Sequence, residues 1–257
     1  MSEYWLKQEN DKPLFQDILW SRPENRQTAG KLLIIGGSLH SFANVGAAYQ
    51  TAVKAGVGTA RVLLPDSLKK IVGNVLETQE FAASNPSGSF SRQALNEMLI
   101  QAAWADAVLL AGDFGRNSET AILLESFVQK YQGLLVIAGD SLDYFLHNPS
   151  LALKRDKTCI AGTFAQLQKL LTSAKCTPPI TSNMELSRLV EILHEFSTDY
   201  PAHLLTSFGS KYIVVSENRV CTTPIKTGGT ELNAARAAVF WLQNPAKPFA
   251  AFSTSAI

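Results

Sequence analysis

Apolar residues along the chain occur in short, nearly continuous runs that end in glycine or in polar residues. In Lys31–Gly37 (KLLIIGG), four consecutive apolar residues precede two glycines. A run of this kind is typical of a strand that is buried on both faces, as in a parallel sheet. Further runs predict strands at Thr59–Leu64, Asp106–Gly112, Gly133–Asp140, Lys157–Ala161 and His203–Ser207.

Between these runs, apolar residues recur at spacings of three and four, which predicts amphipathic helices. The clearest helix is Met184–Phe196, whose apolar residues share one face. Near the end of the chain, Lys211–Thr223 has the pattern of a β-hairpin with a tight polar connection. Further helices are predicted at Asn44–Ala55, Ser91–Ala103, Ser118–Tyr131, Phe164–Leu171 and Thr230–Leu242.

Strands and helices therefore alternate along most of the sequence. This alternation predicts an α/β fold with a mostly parallel central sheet and helices on both faces. The chain has 257 residues and no internal repeat, so we expect a single domain over residues 1–257. Residues 1–30 are expected to be an N-terminal leader segment that contains a short amphipathic stretch at Leu14–Trp20.

Charge and composition serve mainly to exclude functions. Charged residues make up 18% of the chain, the net charge is +1, and the basic residues are scattered. This pattern argues against binding to nucleic acid or to an anionic membrane. The polar N-terminus and the absence of a long apolar run predict neither a signal peptide nor a membrane span. Cys159, Cys176 and Cys221 form no CxxC pair and are expected to be free thiols of a cytoplasmic protein.

Three glycine-containing turns are candidates for ligand binding. Ile34–Ser38 (IIGGS) and Ala111–Glu119 (AGDFGRNSE) each follow a predicted strand, and ligands of open α/β sheets bind at the carboxyl ends of strands. Lys226–Trp241 opens a helix, whose free N–H groups and dipole favour a phosphate. An ordinary turn or helix cap explains each pattern as well, with Asn117 or Ser118 as the cap in the second turn.

The histidines do not add a metal site to this picture. Their separations match no metal-binding motif, and no Ser-His-Asp or Cys-His arrangement is evident, so no metal site is predicted. The four positions are His40, His147, His194 and His203.

Taken in order, the motifs resemble those of the ADP/ATP-dependent NAD(P)H-hydrate dehydratases, a family with the ribokinase-like fold. They are GKLLIIGGS, VGAAYQTAVKAGVGTARVLLPD, DAVLLAGDFGR, LVIAGDSL, TCIAGTFAQL and TGGT. The resemblance extends from about Arg22 to about Trp241 and is most specific in Gly30–Pro65. It implies a ribokinase-like fold and a repair reaction on hydrated NADH or NADPH, in which a nucleotide phosphorylates the hydroxyl group and phosphate then leaves.

The resemblance also implies the ligands and the residues that bind them. The nucleotide would be ADP or ATP, with Mg²⁺ in the case of ATP, the partners would be small molecules, and the chain would form a homo-oligomer. The nucleotide phosphates are expected at Gly228, Gly229 and Thr230. Substrate contacts are expected at Gly37, Ser38, Gly46, Gly112, Asp113 and Gly115. In the second glycine-containing turn, Arg116 is a further candidate for a ligand contact beside Asp113.

Several positions depart from the family's pattern. The aspartate that acts as the base in the family's GGTGD motif falls on Leu232. The histidine and glutamate of its TPHPGE segment fall on Ile160 and Thr163, and the lysine of its LKG segment falls on Thr206. Since leucine cannot accept a proton, loss of the base alone predicts a rate lower by roughly 10²–10⁴.

Two carboxylates remain as candidate catalytic residues, Glu231 beside the missing base and Asp140 where the family's strand ends in DAD. The first hypothesis is a homologue of the dehydratases whose activity is impaired or lost, a nucleotide-binding pseudoenzyme. One alternative is an active NAD(P)H-hydrate dehydratase with a rearranged catalytic site that uses Glu231 or Asp140. A second is a small-molecule kinase of the ribokinase-like fold, and a third is a structural or partner-binding subunit.

Overall fold

The computed structural model describes residues 3–73, 78–225 and 230–257, without the side chains of residues 230–232. The strands in these ranges are β1 (Trp5–Lys7), β2 (Lys31–Gly36), β3 (Thr59–Pro65), β4 (Gln79–Ala82), β5 (Ala107–Gly112), β6 (Leu134–Ala138), β7 (Thr158–Ala161), β8 (His203–Phe208), β9 (Lys211–Ser216) and β10 (Arg219–Pro224). The α-helices are α1 (Gln16–Trp20), α2 (Ala43–Lys54), α3 (Lys69–Val72), α4 (Leu95–Trp104), α5 (Ser118–Lys130), α6 (Ser150–Leu153), α7 (Phe164–Ser173), α8 (Leu186–Asp199), α9 (Thr230–Gln243) and α10 (Pro248–Ser255).

The strands form one sheet in the order β1-β10-β9-β8-β7-β6-β5-β2-β3-β4. Neighbouring strands are parallel except around β9, which is antiparallel to both β8 and β10. The hairpin predicted at Lys211–Thr223 is the β9–β10 pair. The structure thus confirms the α/β fold with a mostly parallel central sheet.

Both faces of the sheet are buried, which explains the uninterrupted apolar runs. Along β2, Leu33 and Ile35 face the layer that contains α4, α5, α7 and α8. Leu32 and Ile34 face the opposite layer, which contains α2, α9 and α10. All four side chains are fully buried. A strand packed in this way needs apolar residues at every position rather than at alternate ones.

Helix α9 runs antiparallel to the central strands. The side chain of Gln243, at its C-terminal end, donates hydrogen bonds to the carbonyl oxygens of Ala29 (3.2 Å) and Gly56 (3.0 Å), which precede β2 and β3. The helix has 14 residues and packs on β5 and β6, and a helix of this length extends about 21 Å. Thr230 therefore begins the helix on the side of the sheet where the parallel strands end.

Some elements are not apparent from the sequence pattern. They include the edge strands β1 and β4 and the helices α6 and α10. Strand β1 lies within the segment expected to be a leader, and it pairs in parallel with β10. Helix α1 matches the amphipathic stretch at Leu14–Trp20. The strand expected to reach Asp140 ends at Ala138, and Gly139–Phe145 form a 3₁₀ segment instead.

The cysteines are free thiols in this structure, as expected. Cys159 and Cys221 are buried, whereas Cys176 is partly exposed. Burial raises the pKa of all three thiols, so the reactive thiolate form is disfavoured. In the part of the chain that the structure describes, no helix has both the length and the apolar character needed to cross a bilayer.

Candidate functional site

The turns that follow β2 and β5 are joined directly. The N–H group of Gly37 donates a hydrogen bond of 3.0 Å to the carbonyl oxygen of Gly112. A Cβ atom at Gly36 would lie only 2.4 Å from the same oxygen, so a side chain there would force the two turns apart. Both Gly37 (φ +90°) and Gly112 (φ +100°) have backbone conformations that favour glycine. Two of the glycine-containing turns predicted to bind ligand therefore lie side by side at the carboxyl edge.

Asp113 connects the second turn to helix α2. Its carboxylate accepts hydrogen bonds from the backbone N–H of Asn44 at 2.8 Å and from the Asn44 side chain at 3.2 Å. Asn44 lies in the first turn of α2, where backbone N–H groups have no partner within the helix. Asp113 thereby acts as a cap contributed from a distant part of the sequence. It also adopts a positive φ of 61°, which is uncommon for a residue other than glycine.

Asp140 lies next to these turns, two residues after β6 ends. Its Oδ1 atom is buried, and among the described residues it has no hydrogen-bond partner. The pKa of Asp140 is raised to about 6, mainly by burial and further by the negative charge of Asp113, while backbone N–H groups of Asp113 and Phe114 lower it in part. A carboxyl group with a pKa near neutrality can both accept and donate a proton under physiological conditions.

A cavity of about 390 Å³ opens beside Asp140. Its polar lining includes Arg116, Asn117, Tyr144 and His147. The hydroxyl group of Tyr144 donates a hydrogen bond to the carbonyl oxygen of Gly115, and burial raises the pKa of Tyr144 to about 12, so its hydroxyl remains protonated. This volume and this mixture of polar and apolar groups suit a small molecule or one part of a larger one.

The structure brings most of the predicted substrate contacts to this edge. Ser38 is buried, and its side chain lies close to Gly115, since a Cβ atom at position 115 would be 3.8 Å from that of Ser38. Gly46 lies in the first turn of α2, and a Cβ atom there would meet open space. The predicted residues at the carboxyl ends of β2 and β5 are Gly37, Ser38, Gly112, Asp113 and Gly115.

Other predicted site residues lie outside the described part of the chain. Gly228 and Gly229 belong to a segment that is not described, and the structure gives only the helical backbone for Thr230, Glu231 and Leu232. Over residues 3–73, 78–225 and 230–257, no group of three or more His, Cys, Asp or Glu side chains is arranged to hold a metal ion.

Three positions that correspond to polar residues of the dehydratase motifs have structural roles here. Ile160 is a core residue of β7. The hydroxyl group of Thr163 accepts the backbone N–H of Gln166 and caps α7 in a capping box. Thr206 is fully buried in β8, and its hydroxyl group has no hydrogen-bond partner among the described residues. None of these three side chains carries a charge, and the one exposed hydroxyl, that of Thr163, takes part in the helix cap.

Two contributors to the site are not apparent in the sequence. Asn44 binds Asp113 from 69 positions away, and Tyr144 binds Gly115 from 29 positions away. Asn44 does have a local signal, because it stands at the start of a predicted helix after a glycine turn. Tyr144 has none. By contrast, Asn117, predicted as an alternative cap, does cap α5 by accepting the N–H of Glu119 at 2.8 Å.

The chain is an α/β protein with glycine-containing turns at the carboxyl edge of its sheet, and comparisons with known proteins show that its fold is ribokinase-like. A ribokinase-like superfamily protein of Enterococcus faecalis has a TM-score of 0.70 at 14% identity, covering 99% of this chain and 86% of that one. The ADP/ATP-dependent NAD(P)H-hydrate dehydratase of Bacillus subtilis, co-crystallized with ATP/Mg²⁺ and soaked with CoA, has a TM-score of 0.62 at 13% identity, covering 95% and 85%. These similarities confirm the fold.

At the level of sequence, the chain is similar to the bifunctional NAD(P)H-hydrate repair enzyme Nnr of Moorella thermoacetica. The two are 24% identical over 209 residues, which cover 78% of this chain and 37% of that enzyme. The chain therefore spans little more than a third of that relative's length. No model of a protein family matches the chain. The resemblance to NAD(P)H-hydrate repair enzymes is confirmed, at low sequence identity.

Proposed function

We propose that this chain is a nucleotide-binding homologue of the NAD(P)H-hydrate dehydratases whose dehydratase activity is impaired or lost. The observation that carries this proposal is the use of the corresponding polar positions for folding. Ile160 packs in the core, Thr163 caps a helix, and Thr206 is buried in a strand. Together with Leu232 in place of a base, these residues leave the substrate with few polar contacts and no proton acceptor at position 232.

The proposed nucleotide site is the start of α9, with ADP or ATP phosphates near Gly228, Gly229 and Thr230. Support comes from the direction of α9, which begins on the side of the sheet that also holds the turns after β2 and β5. Free N–H groups and the helix dipole at such a position favour a phosphate. Mg²⁺ would accompany ATP through its phosphate oxygens, as it commonly does. We propose that the protein acts in the cytoplasm, as a homo-oligomer.

The activity test is an absorbance assay at the band of reduced nicotinamide. Purified protein is mixed with freshly prepared hydrated NADH and with ATP or ADP plus Mg²⁺. We expect no turnover, or turnover far below one per second. A turnover near one per second, within the usual range for enzymes, would overturn the proposal of lost activity. Restoring the base with Leu232→Asp is expected to recover little, because several contacts are missing together.

Nucleotide binding is tested separately by thermal unfolding. A ligand present at 100 times its Kd adds about 2.7 kcal/mol to the free energy of unfolding, so ATP, ADP and AMP can be ranked by the rise in Tm. Glu231 adds a negative charge beside the proposed phosphate position, so Glu231→Gly is expected to tighten binding. Unchanged Tm values with all three nucleotides would contradict nucleotide binding in this chain.

A second candidate function, an active dehydratase with a rearranged site, is favoured by Asp140. Its unpaired Oδ1 and its pKa of about 6 suit a group that accepts the proton of a substrate hydroxyl near neutral pH. If the assay detects turnover, Asp140→Asn should reduce it by about 10²-fold or more, whereas Glu231→Gln should have the larger effect if that residue is the base. The matched control is Asp11→Asn, which removes an exposed carboxylate that does not line the cavity beside Asp140.

A further inference from the structure

A second cavity, of about 480 Å³, lies at the opposite edge of the sheet, where the strands begin. Its walls are formed by Leu134 at the start of β6 and by Trp241 and Leu242 near the end of α9. The polar residues in its lining are Asp106, Lys157 and His203. None of these residues belongs to the site proposed for the nucleotide. That site lies at the start of α9, about 21 Å from the end of the helix that lines this cavity.

Strand register places the lining residues in a row. Leu135 pairs with Thr158, and Cys159 pairs with His203. Lys157 directly precedes β7 and also lines the cavity. Leu134 begins β6 and lies on the same face as Val136, which pairs with Cys159, and therefore on the same face as His203. This is the face covered by α9. The cavity thus runs along the sheet edge beneath the end of that helix.

The basic side chains and the acidic side chain lie at opposite ends of this row. His203 begins β8 and Lys157 precedes β7, so these two lie at one end. Asp106 precedes β5, three strands away from β8. Strands are spaced by about 4.8 Å, which places the two ends about 14 Å apart. Apolar side chains of Leu134, Trp241 and Leu242 line the interval.

His203 lines the cavity and has one ring N–H group available as a hydrogen-bond donor. Its Nδ1 atom and the hydroxyl oxygen of Ser216 are 2.9 Å apart, and both residues are buried. If the hydroxyl group of Ser216 donates to Nδ1, this buried hydroxyl has an acceptor, and the ring proton of His203 lies on Nε2. The opposite arrangement leaves the Ser216 proton with no acceptor among the described residues, which is costly in a buried position. Burial lowers the pKa of His203 to about 4, so the ring is neutral and has one N–H group.

The two charged residues have free capacity for a ligand. Asp106 accepts the backbone N–H of Lys31 at 2.8 Å through one oxygen, Oδ2, and its other oxygen has no hydrogen bond recorded within the described residues. Lys157 forms no ion pair with any residue in the described ranges. The cavity therefore offers an ammonium and an N–H donor at one end and a carboxylate at the other.

We propose that this cavity binds a small zwitterion with an apolar middle, in the chemical class of short apolar peptides. Its carboxylate would contact Lys157 and His203, its ammonium group would contact Asp106, and its side chains would lie against Trp241 and Leu242. An extended tripeptide spans about 10 Å, and the lengths of the aspartate and lysine side chains close the remaining distance. This site is independent of the nucleotide site, so either can exist without the other.

Calorimetry with trileucine tests the proposal. We expect saturable binding at roughly millimolar concentrations or below, and weaker binding of both the C-terminal amide and the N-acetyl derivative. Lys157→Gln should weaken trileucine about three- to tenfold but leave the affinity of the amide unchanged, because that derivative lacks the carboxylate. Asp106→Asn should likewise weaken trileucine but not its N-acetyl derivative.

Matched controls are Lys154→Gln and Asp156→Asn, which alter exposed charges of the same sign nearby but outside the cavity lining. They should leave trileucine binding as in the wild type. Because all four substituted positions are on exposed side chains, thermal unfolding is expected to show that each variant folds. Absence of saturable trileucine binding at about 10 mM, or affinities that do not depend on Lys157, Asp106 and the peptide termini, would overturn the proposal.

Discussion

Gly112 and Asp140 approach each other so closely that a Cβ atom at position 112 would lie 3.0 Å from Oδ1 of Asp140. The carboxyl group therefore occupies space that any other residue at position 112 would fill. Gly112 also adopts a φ of +100°, which other residues rarely tolerate. The position of the buried carboxylate thus depends on a glycine in the neighbouring strand.

Gly112→Ala is expected to lower the free energy of unfolding by about 1–3 kcal/mol, because backbone strain and the contact with Asp140 act together. The measurement is urea denaturation at neutral pH. Gly209→Ala is the matched control, since Gly209 also has a positive φ (+55°) but has no atom within 4 Å of the added Cβ. Gly209→Ala should lower the free energy of unfolding by about 1 kcal/mol. Equal losses in the two variants would contradict the contact.

Asp140→Asn is expected to stabilise the protein at neutral pH. The native pKa of about 6 exceeds the ordinary value of 3.8, so the native state favours the protonated form. The stability contributed by this preference is fully present below pH 3.8 and is lost as the pH rises through 6. Allowing for the partial exposure of the group, the variant should gain about 1–2 kcal/mol over the wild type at pH 7.

The gain should nearly vanish near pH 3.5, where the native carboxyl is protonated and the unfolded one, with a pKa of 3.8, is mostly protonated. Denaturation at the two pH values measures the difference. Asp11→Asn removes an exposed carboxylate outside this cavity and is expected to change neither result by more than about 0.5 kcal/mol. A gain of the same size at both pH values would show that the ionisation of Asp140 is not its cause.

His203 should make the protein sensitive to acid. Burial lowers its pKa from 6.5 to about 4, so the unfolded chain takes up a proton at a pH where the native state does not. The contribution of neutral His203 to the free energy of unfolding is fully present above pH 6.5. It is lost as the pH drops toward 4, which lowers the free energy of unfolding by up to about 3 kcal/mol. His203→Gln should reduce this decline, as followed by denaturation between pH 7 and 4.5. The variant His40→Gln, at an exposed position, should keep the wild-type decline.

Gln8 should be a stabilising residue even though it lies near the N-terminus. It is buried, donates to the carbonyl oxygen of Ser253 at 2.7 Å and to the hydroxyl of Thr223 at 3.2 Å, and accepts the N–H of Leu14 at 3.1 Å. Gln8→Ala leaves these buried groups unpaired and should cost about 2–3 kcal/mol. Exposed Gln132→Ala should cost less than about 0.5 kcal/mol. Equal Tm values for the two variants would contradict this role.

The parts of the fold that the sequence predicts well are those with strong local patterns. Strands β2 and β5 are continuous apolar runs because helices cover both of their faces. By contrast, β1 and β4 have three and four residues, respectively, and lie at or beside the edges of the sheet. At that length neither alternation nor a continuous run can be distinguished from a loop.

In the candidate site, too, some features can be predicted from the sequence and others cannot. The contact between the turns at Gly37 and Gly112 follows from a general rule, that parallel strands end at one edge of the sheet. The raised pKa of Asp140 does not, because it depends on which side chains bury the carboxyl group and on the charge of Asp113. The choice of Asn44 as the partner of Asp113 likewise depends on three-dimensional packing that no local pattern encodes.

Strand β1 pairs with β10, so that Trp5 lies beside Val220, 215 positions later in the chain. During synthesis on the ribosome, β1 is therefore made long before β10, the strand with which it pairs. Contacts between such distant residues form slowly, and an unpaired strand is exposed to other chains in the meantime. At translation speeds of roughly 5–20 residues per second, the interval between the synthesis of β1 and that of β10 lasts on the order of ten seconds or more, and β1 lacks its partner strand throughout it.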